Sequence, residues 1–231
     1  LGWRTAAGSQ KLAAVFGESA MATQIDDPAT GIDDQAGLRA HIGAVNPLAE
    51  RKVLDRLDGF CRDFIALSPF LVLATADADG QADASPRGDA PGFVQVLDER
   101  RLLIPDRRGN NRVDSYANIL AAPGVGLIFM VPGIAETLRV NGRARLTRDA
   151  DLLGPMTVQE RTPTLGLLVE VDEAFFHCGK ALIRSKLWDP TVQVERGSFP
   201  SLGRIVAEQT KAIGVAEAEA NMEEGYRTRL Y

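Results

Sequence analysis

Three guanidinium groups and two carboxamides crowd into the six residues Arg107-Arg108-Gly109-Asn110-Asn111-Arg112. They follow the apolar stretch Leu102-Leu103-Ile104-Pro105 and precede a helix-like segment, Val113–Leu120. A strand, a tight polar turn and a helix start together make an anion site. The first helical turn has free N–H groups and the positive end of the helix dipole, and arginine adds planar, forked donors that match phosphate oxygens. Asn111 is placed to act as the N-cap, with Asp114-Ser115 in the first turn. The chemistry advertised is the grip on a phosphate-bearing ligand. The competing reading, since caps are frequent, is an ordinary helix cap flanked by solvated arginines.

Two other clusters carry chemistry. Ser85-Pro86-Arg87-Gly88-Asp89 ends a strand, where Pro stops ladder pairing and Gly88 lets backbone approach a ligand closely. Alone, such a segment is more often a plain strand-ending turn. The segment Glu136–Thr147 alternates cleanly: Leu138, Val140, Ala144 and Leu146 share one face with Gly142, and Arg139, Asn141, Arg143 and Arg145 share the other. A row of arginines on one strand is usually a solvated surface or an interface lined by carboxylates. His177-Cys178-Gly179-Lys180 unites an imidazole, a thiol and an amine, but adjacent strand residues point to opposite faces, so structural packing is favoured over a Cys-His dyad. In Arg184-Ser185-Lys186-Leu187-Trp188, the indole either covers a planar ligand or plugs the core. There is no Gly-rich dinucleotide fingerprint, P-loop or zinc spacing. Only His41 and His177 could serve a Ser-His-Asp triad, and neither lies near a nucleophile elbow.

The positioning elements follow from periodicity. Residues 1–35 read as an extended or loosely packed arm, and Asp33-Asp34 introduces a helix over Gln35–Val45. Leu48–Leu67 has apolar residues at helical spacing, with Gly59 as a candidate break, and Ser68-Pro69 ends it. The period then changes. Phe70–Ala76 is a continuous apolar run, Asp77-Ala78-Asp79-Gly80 a hairpin turn, and Gln81–Pro86 its partner strand. Phe93–Leu97, Arg101–Ile104, Val125–Val131, Glu136–Thr147 and Thr164–Val171 continue the strands, with a short helix at Asp149–Leu153. Many short strands joined by tight turns favour a barrel or sandwich. Leu202–Ala220 reads as one peripheral C-terminal helix.

Composition sets the class. A hydrophobic share of 45% and a charged share of 25% describe an ordinary globular protein. A net charge of -5 argues against a general nucleic-acid binder. Cys61 and Cys178, far apart, give neither a disulfide framework nor a metal spacing, and suggest a reducing, cytoplasmic setting. No apolar run is long enough to span a bilayer, and Leu1–Ala22 lacks the compact apolar stretch of a signal peptide.

The order of these motifs resembles the FMN-binding split-barrel family of pyridoxamine 5′-phosphate oxidase-like proteins. The resemblance runs from Ser68-Pro69-Phe70-Leu71-Val72-Leu73-Ala74-Thr75 through Ser85–Gly88, Ile104–Arg112 and Gly133–Gly142 to Phe176–Ala181. It covers residues 68–190, with residues 1–67 as a helical N-terminal extension and 191–231 as a C-terminal helical segment. It implies a mainly β (α+β) fold: a six-stranded antiparallel split β-barrel. It also implies a homodimer with FMN at the subunit interface. By this resemblance the turn containing Arg107, Arg108, Asn110, Asn111 and Arg112 holds the FMN phosphate, with Asn111 and Arg112 foremost. Ser85, Arg87 and Gly88 line the isoalloxazine edge. Lys180, Arg184 and Trp188 reach the flavin from the partner chain, and Arg139 and Arg143 support the phosphate or the dimer interface.

The chain departs from the vitamin-B6 oxidase pattern in its C-terminal part, which has no match to that enzyme's arginine-rich substrate-binding tail. The function expected is an FMN-dependent oxidoreductase, related to pyridoxamine 5′-phosphate oxidase, acting on an unidentified small molecule; the missing tail puts pyridoxamine phosphate in doubt as that substrate. The alternatives are a flavin-binding or electron-carrying module without its own substrate, a haem-handling relative with His177 as the one nameable ligand, and a deazaflavin in place of FMN.

Overall fold

The computed structural model describes residues 31–231; the expectations for the preceding arm lie mostly outside these residues. The chain divides into two compact units. The smaller contains residues 31–47 and 194–200 among those described. Its helix α1 (Gln35–Ile42) starts where Asp34 accepts a hydrogen bond from the Gly37 N–H at 2.7 Å, and stops at Gly43 with φ 88°. The acidic start expected from Asp33-Asp34 is present.

The larger unit contains residues 48–193 and 201–231. Helix α2 (Pro47–Arg51) reaches its beginning, and α3 (Gly59–Leu67) follows, capped by Asp58, which accepts from the Cys61 N–H at 2.8 Å. Cys61, Phe64 and Ile65, at helical spacing, are its buried face. The helical segment expected over Leu48–Leu67, with Gly59 as its candidate break, is two helices. Between them Leu54 exchanges both backbone hydrogen bonds with Ala174, at 3.0 and 2.8 Å, and sheet pairing replaces the helical bonds. Gly59 opens the second helix.

The strands are β1 (Phe70–Ala76), β2 (Ala82–Gly88), β3 (Gln95–Val96), β4 (Arg101–Pro105), β5 (Gly124–Met130), β6 (Thr137–Thr147) and β7 (Gly166–His177). They form one sheet in the order β2-β1-β5-β6-β7-β4-β3, with every pair antiparallel. Helix α4 (Asp114–Ala121) is inserted between β4 and β5, and α5 (Ala150–Leu153) between β6 and β7. Leu71, Leu73, Leu102, Ile104, Leu127, Phe129, Leu138, Val140 and Val169 are all at most 1% exposed and belong to one continuous core. Strands from both halves of the sheet thus share one interior, which is the antiparallel split-barrel class. The strands number seven, as many as the segments read from the residues and one more than the six-stranded barrel the resemblance implies.

Three strands differ most from expectation. β2 continues through Pro86 to Gly88. It is an edge strand, so the missing proline N–H costs no ladder bond. β3 contracts from Phe93–Leu97 to two residues. β7 runs six residues beyond Val171 by way of a bulge, in which Asn141 pairs with Glu173 and Gly142 with Val171, leaving Asp172 extra. Gly142 makes this possible, since a Cβ there would sit 2.0 Å from the Glu170 carbonyl oxygen. The alternation read over Glu136–Thr147 is present, with Leu138, Val140, Gly142 and Ala144 buried and Arg143 and Arg145 exposed. The C-terminal helix is also two, α7 (Leu202–Thr210) and α8 (Val215–Thr228), separated where Lys211 takes φ 54°. A six-residue helix, α6 (Lys180–Ser185), follows β7. No helix among the described residues is long and apolar enough to cross a membrane.

Candidate functional site

Edge strand β2 alternates, presenting Asp83, Ser85 and Arg87 on its half-buried face. Helix α4 lies against that face. Ser115 donates its hydroxyl to Asp83 at 2.8 Å, and Arg87 Nη1 donates to the Tyr116 hydroxyl at 2.9 Å. The chain reaches α4 from the end of β4 through residues 106–113. These three pieces (β2, the connecting loop and the first turn of α4) wall a cleft of about 640 Å³. The sequence-predicted residues Ser85, Arg87, Gly88, Arg107, Arg108, Asn110, Asn111 and Arg112 all line it.

The arginines have distinct states. Arg107 Nε donates to Asp89 at 2.7 Å, and its Nη1 donates to the Met156 carbonyl at 3.0 Å, so it joins the loop to two other segments. Arg112 pairs with Asp114 at 2.7 Å while 75% exposed. Arg108 is exposed, with no hydrogen bond or ion pair among the described residues. Arg87 is held by Tyr116 and lies 3.7 Å from Asp106, yet its Nε is buried without a hydrogen-bond partner. Burial first, and then its own hydrogen bond to Asp106, push the Tyr116 phenol well above its ordinary value, so it stays a protonated donor. Asp83, Asp106 and Asp114 also line the cleft, which is therefore polarised rather than uniformly cationic.

Asn111 is not the helix cap. It takes φ 59°, and the cap position falls to Val113, with φ 53° and no side-chain cap bond. Asn110 instead accepts from the Arg112 N–H at 3.1 Å, closing a local turn that ends the run before a helix can start. Gly88 has a packing reason of its own, because a Cβ would lie 3.2 Å from the Pro69 carbonyl oxygen and 3.3 Å from the Phe70 ring.

Lys180, Arg184 and Trp188 are not brought to the cleft within one chain. Lys180 and Arg184 stand exposed on α6, and Trp188 donates its indole N–H to the Ile134 carbonyl at 2.8 Å. Gly179 lets the start of α6 press on the same turn, where a Cβ would meet that of Ala135 at 2.6 Å. Arg139 lies over the Phe175 ring at 5.3 Å, and Arg143 faces another part of the surface. His177 ends β7 beside Phe175. Burial, with Lys52 and Arg139 nearby, holds its imidazole below its ordinary pKa. It makes no hydrogen bond to the exposed Cys178 among the described residues.

Sequence reasoning included Asp89 in the Ser85–Asp89 cluster without giving it a task, and missed Asp106, Tyr116 and the C-terminal pair Leu230-Tyr231. Leu230 lines the cleft, and Tyr231 donates its hydroxyl to Asp89 at 2.7 Å, while its carbonyl accepts from Arg161. Nothing local marks the tail.

Solved structures similar to this chain cover about half of it. HupZ from Group A Streptococcus superposes with a TM-score of 0.41 at 16% identity, over 50% of this chain and 89% of that one. An FMN-binding protein from Syntrophomonas wolfei gives 0.41 at 12% identity, over 51% and 83%. General Stress Protein 26 from Bacillus anthracis gives 0.37 at 13% identity, over 50% and 92%. No curated protein matches the sequence. The family model for pyridoxamine 5′-phosphate oxidase matches residues 57–178, more than half of the 231 residues, and spans α3 through the end of β7 with the whole β2–loop–α4 cleft. The chain belongs to the pyridoxamine 5′-phosphate oxidase family.

Proposed function

We propose that the chain binds FMN in this cleft and acts, as a homodimer, as a flavin-dependent oxidoreductase on a small molecule. The observation that carries the reading is Arg87. It lines the cleft wall with its guanidinium held in place by Tyr116 and Asp106, and a fixed positive charge on a cleft wall suits an anionic ligand. The cleft volume suits a cofactor of this size. The S. wolfei neighbour carries FMN binding in its name.

When bound, FMN supplies two-electron transfer at N5; the protein contributes position and electrostatics. Arg87, fixed by Tyr116 and Asp106, keeps a positive charge on the wall, which favours the more negatively charged, reduced form of a ligand beside it. Arg108 and the N–H groups at the start of α4 offer donors to a phosphate. Arg112 must first turn away from Asp114. Asp83 and Asp106 disfavour a second anion at the β2 end and so orient the ligand. In the dimer, the exposed Lys180 and Arg184 are available to a neighbouring subunit's cleft.

The test is spectroscopic. Purified protein should be yellow and should quench FMN fluorescence on titration. Arg87→Ala should weaken binding by about 1.5–3 kcal/mol, the scale of a hydrogen bond to a charged group. Mass spectrometry of the extracted cofactor distinguishes FMN from a deazaflavin. Colourless protein that leaves FMN fluorescence unchanged overturns the reading.

A further inference from the structure

The arginines of β6 that the flavin cleft does not use meet on the outer face of the barrel. Register places Arg101, Glu170 and Arg143 side by side across β4, β7 and β6, and Leu103, Leu168 and Arg145 in the next row on the same face. Arg101, Arg143, Arg145 and Glu170 line a second cleft of about 440 Å³, floored by Leu168 and bordered by Pro123. Arg101 is tied to Asp98 at 2.7 Å. The side chains of Arg143, Arg145 and Glu170 make no hydrogen bond or ion pair among the described residues.

In a chain of net charge -5, this is a local excess of positive charge with free donors. Strand spacing sets its size. Arg143 and Arg145 are about 7 Å apart at Cα, and Arg101 is about 10 Å from Arg143 across the intervening strand. Like charges so arranged repel, and Glu170 between two of them, together with Asp98 on Arg101, offsets only part of that. Guanidinium forks on three sides of a cleft suit oxygens spread over more than one centre better than they suit a single carboxylate.

We propose that this outer cleft is a second anion site, which takes the diphosphate group of a small molecule through Arg143 and Arg145, with Arg101 as the far wall. The inference stands apart from the flavin reading, because no residue is shared between the two clefts.

Inorganic diphosphate, titrated calorimetrically into the full chain at about 0.15 M salt to screen non-specific attraction, is the probe. Wild type should show saturable binding. Arg143→Gln/Arg145→Gln should weaken it by about tenfold or more, as expected for charge-assisted hydrogen bonds. Arg108→Gln/Arg112→Gln, in the other cleft, should leave that component in place, and Glu170→Gln should strengthen it. Both arginines are exposed, and unchanged thermal unfolding of the double variant would show that the fold is intact. Three results overturn the proposal: no saturable binding, binding indifferent to Arg143→Gln/Arg145→Gln, or self-association abolished by that variant without any diphosphate binding. The last would make the arginines an interface between copies.

Discussion

Arg107 Nε donates to Asp89 Oδ2 at 2.7 Å, and the Asp89 side chain is only 2% exposed. The same carboxylate accepts from the Tyr231 hydroxyl and the Ala90 N–H on its other oxygen, each at 2.7 Å. Arg107, one of the residues that made the loop look like a phosphate grip, is thus a tie between the loop and the end of β2. Removing it leaves a buried carboxylate short of its counter-charge. Arg107→Ala should therefore cost about 2–4 kcal/mol in denaturant unfolding, whereas the exposed, unpaired Arg108→Ala should fall within about 0.5 kcal/mol. Equal losses at the two positions would contradict this division of labour.

Asp89 also gives the fold a pH dependence. Burial pushes its pKa up, but hydrogen bonds from Tyr231 and Ala90 and the charge of Arg107 outweigh this, and the net displacement is downward. A carboxylate with a lowered folded pKa stabilises the fold above its unfolded pKa, near 4, and that stability is lost as pH falls through the folded value. Tyr231→Phe removes one of the lowering bonds. The variant should be less stable than wild type by about 1 kcal/mol at pH 7, with the difference shrinking below about pH 4. Thermal unfolding across pH 2–7 reads this directly, and a gap that widens in acid would refute it.

Gly142 carries the bulge that lets β7 run on to His177. With the Glu170 carbonyl 2.0 Å from where a Cβ would sit, backbone rather than a movable side chain opposes any substitution. Gly142→Ala should lower stability by more than about 3 kcal/mol or prevent folding. Gly124→Ala at the start of β5, where nothing lies within 4 Å, should be tolerated. Unfolding midpoints of the two variants give the comparison.

The two cysteines should separate cleanly. Burial first, and then the neighbouring Asp58, push the Cys61 thiol up to about 12, and its side chain sits in the core of α3. Cys178 is exposed just beyond β7. An aromatic disulfide reagent at pH 8 should titrate one thiol in the native protein and two after unfolding. Rapid reaction of both in the native state would show that α3 does not pack as described.

The alternating and continuous apolar runs fixed which segments become strands, because a side-chain period of two is a local property; Phe70–Ala76 and the Leu138–Leu146 face are read straight off the residues. The Asp77–Gly80 turn was equally legible, since Gly80 at φ 81° and the Asp77 side-chain bonds to Asp79 and Gln81 are local chemistry. Ser85–Gly88 and Arg107–Arg112 could be singled out by residue type, and they do share one cleft. Their separate tasks could not be read, because those depend on partners distant in sequence. Asp89 for Arg107, Tyr116 for Arg87 and Tyr231 for Asp89 lie 18, 29 and 142 residues away. The bulge at Gly142, the bridge of Leu54 to Ala174 and the placing of Arg101, Glu170 and Arg143 in one row were likewise decided only by strand pairing, for register is set by the whole sheet and by no one strand.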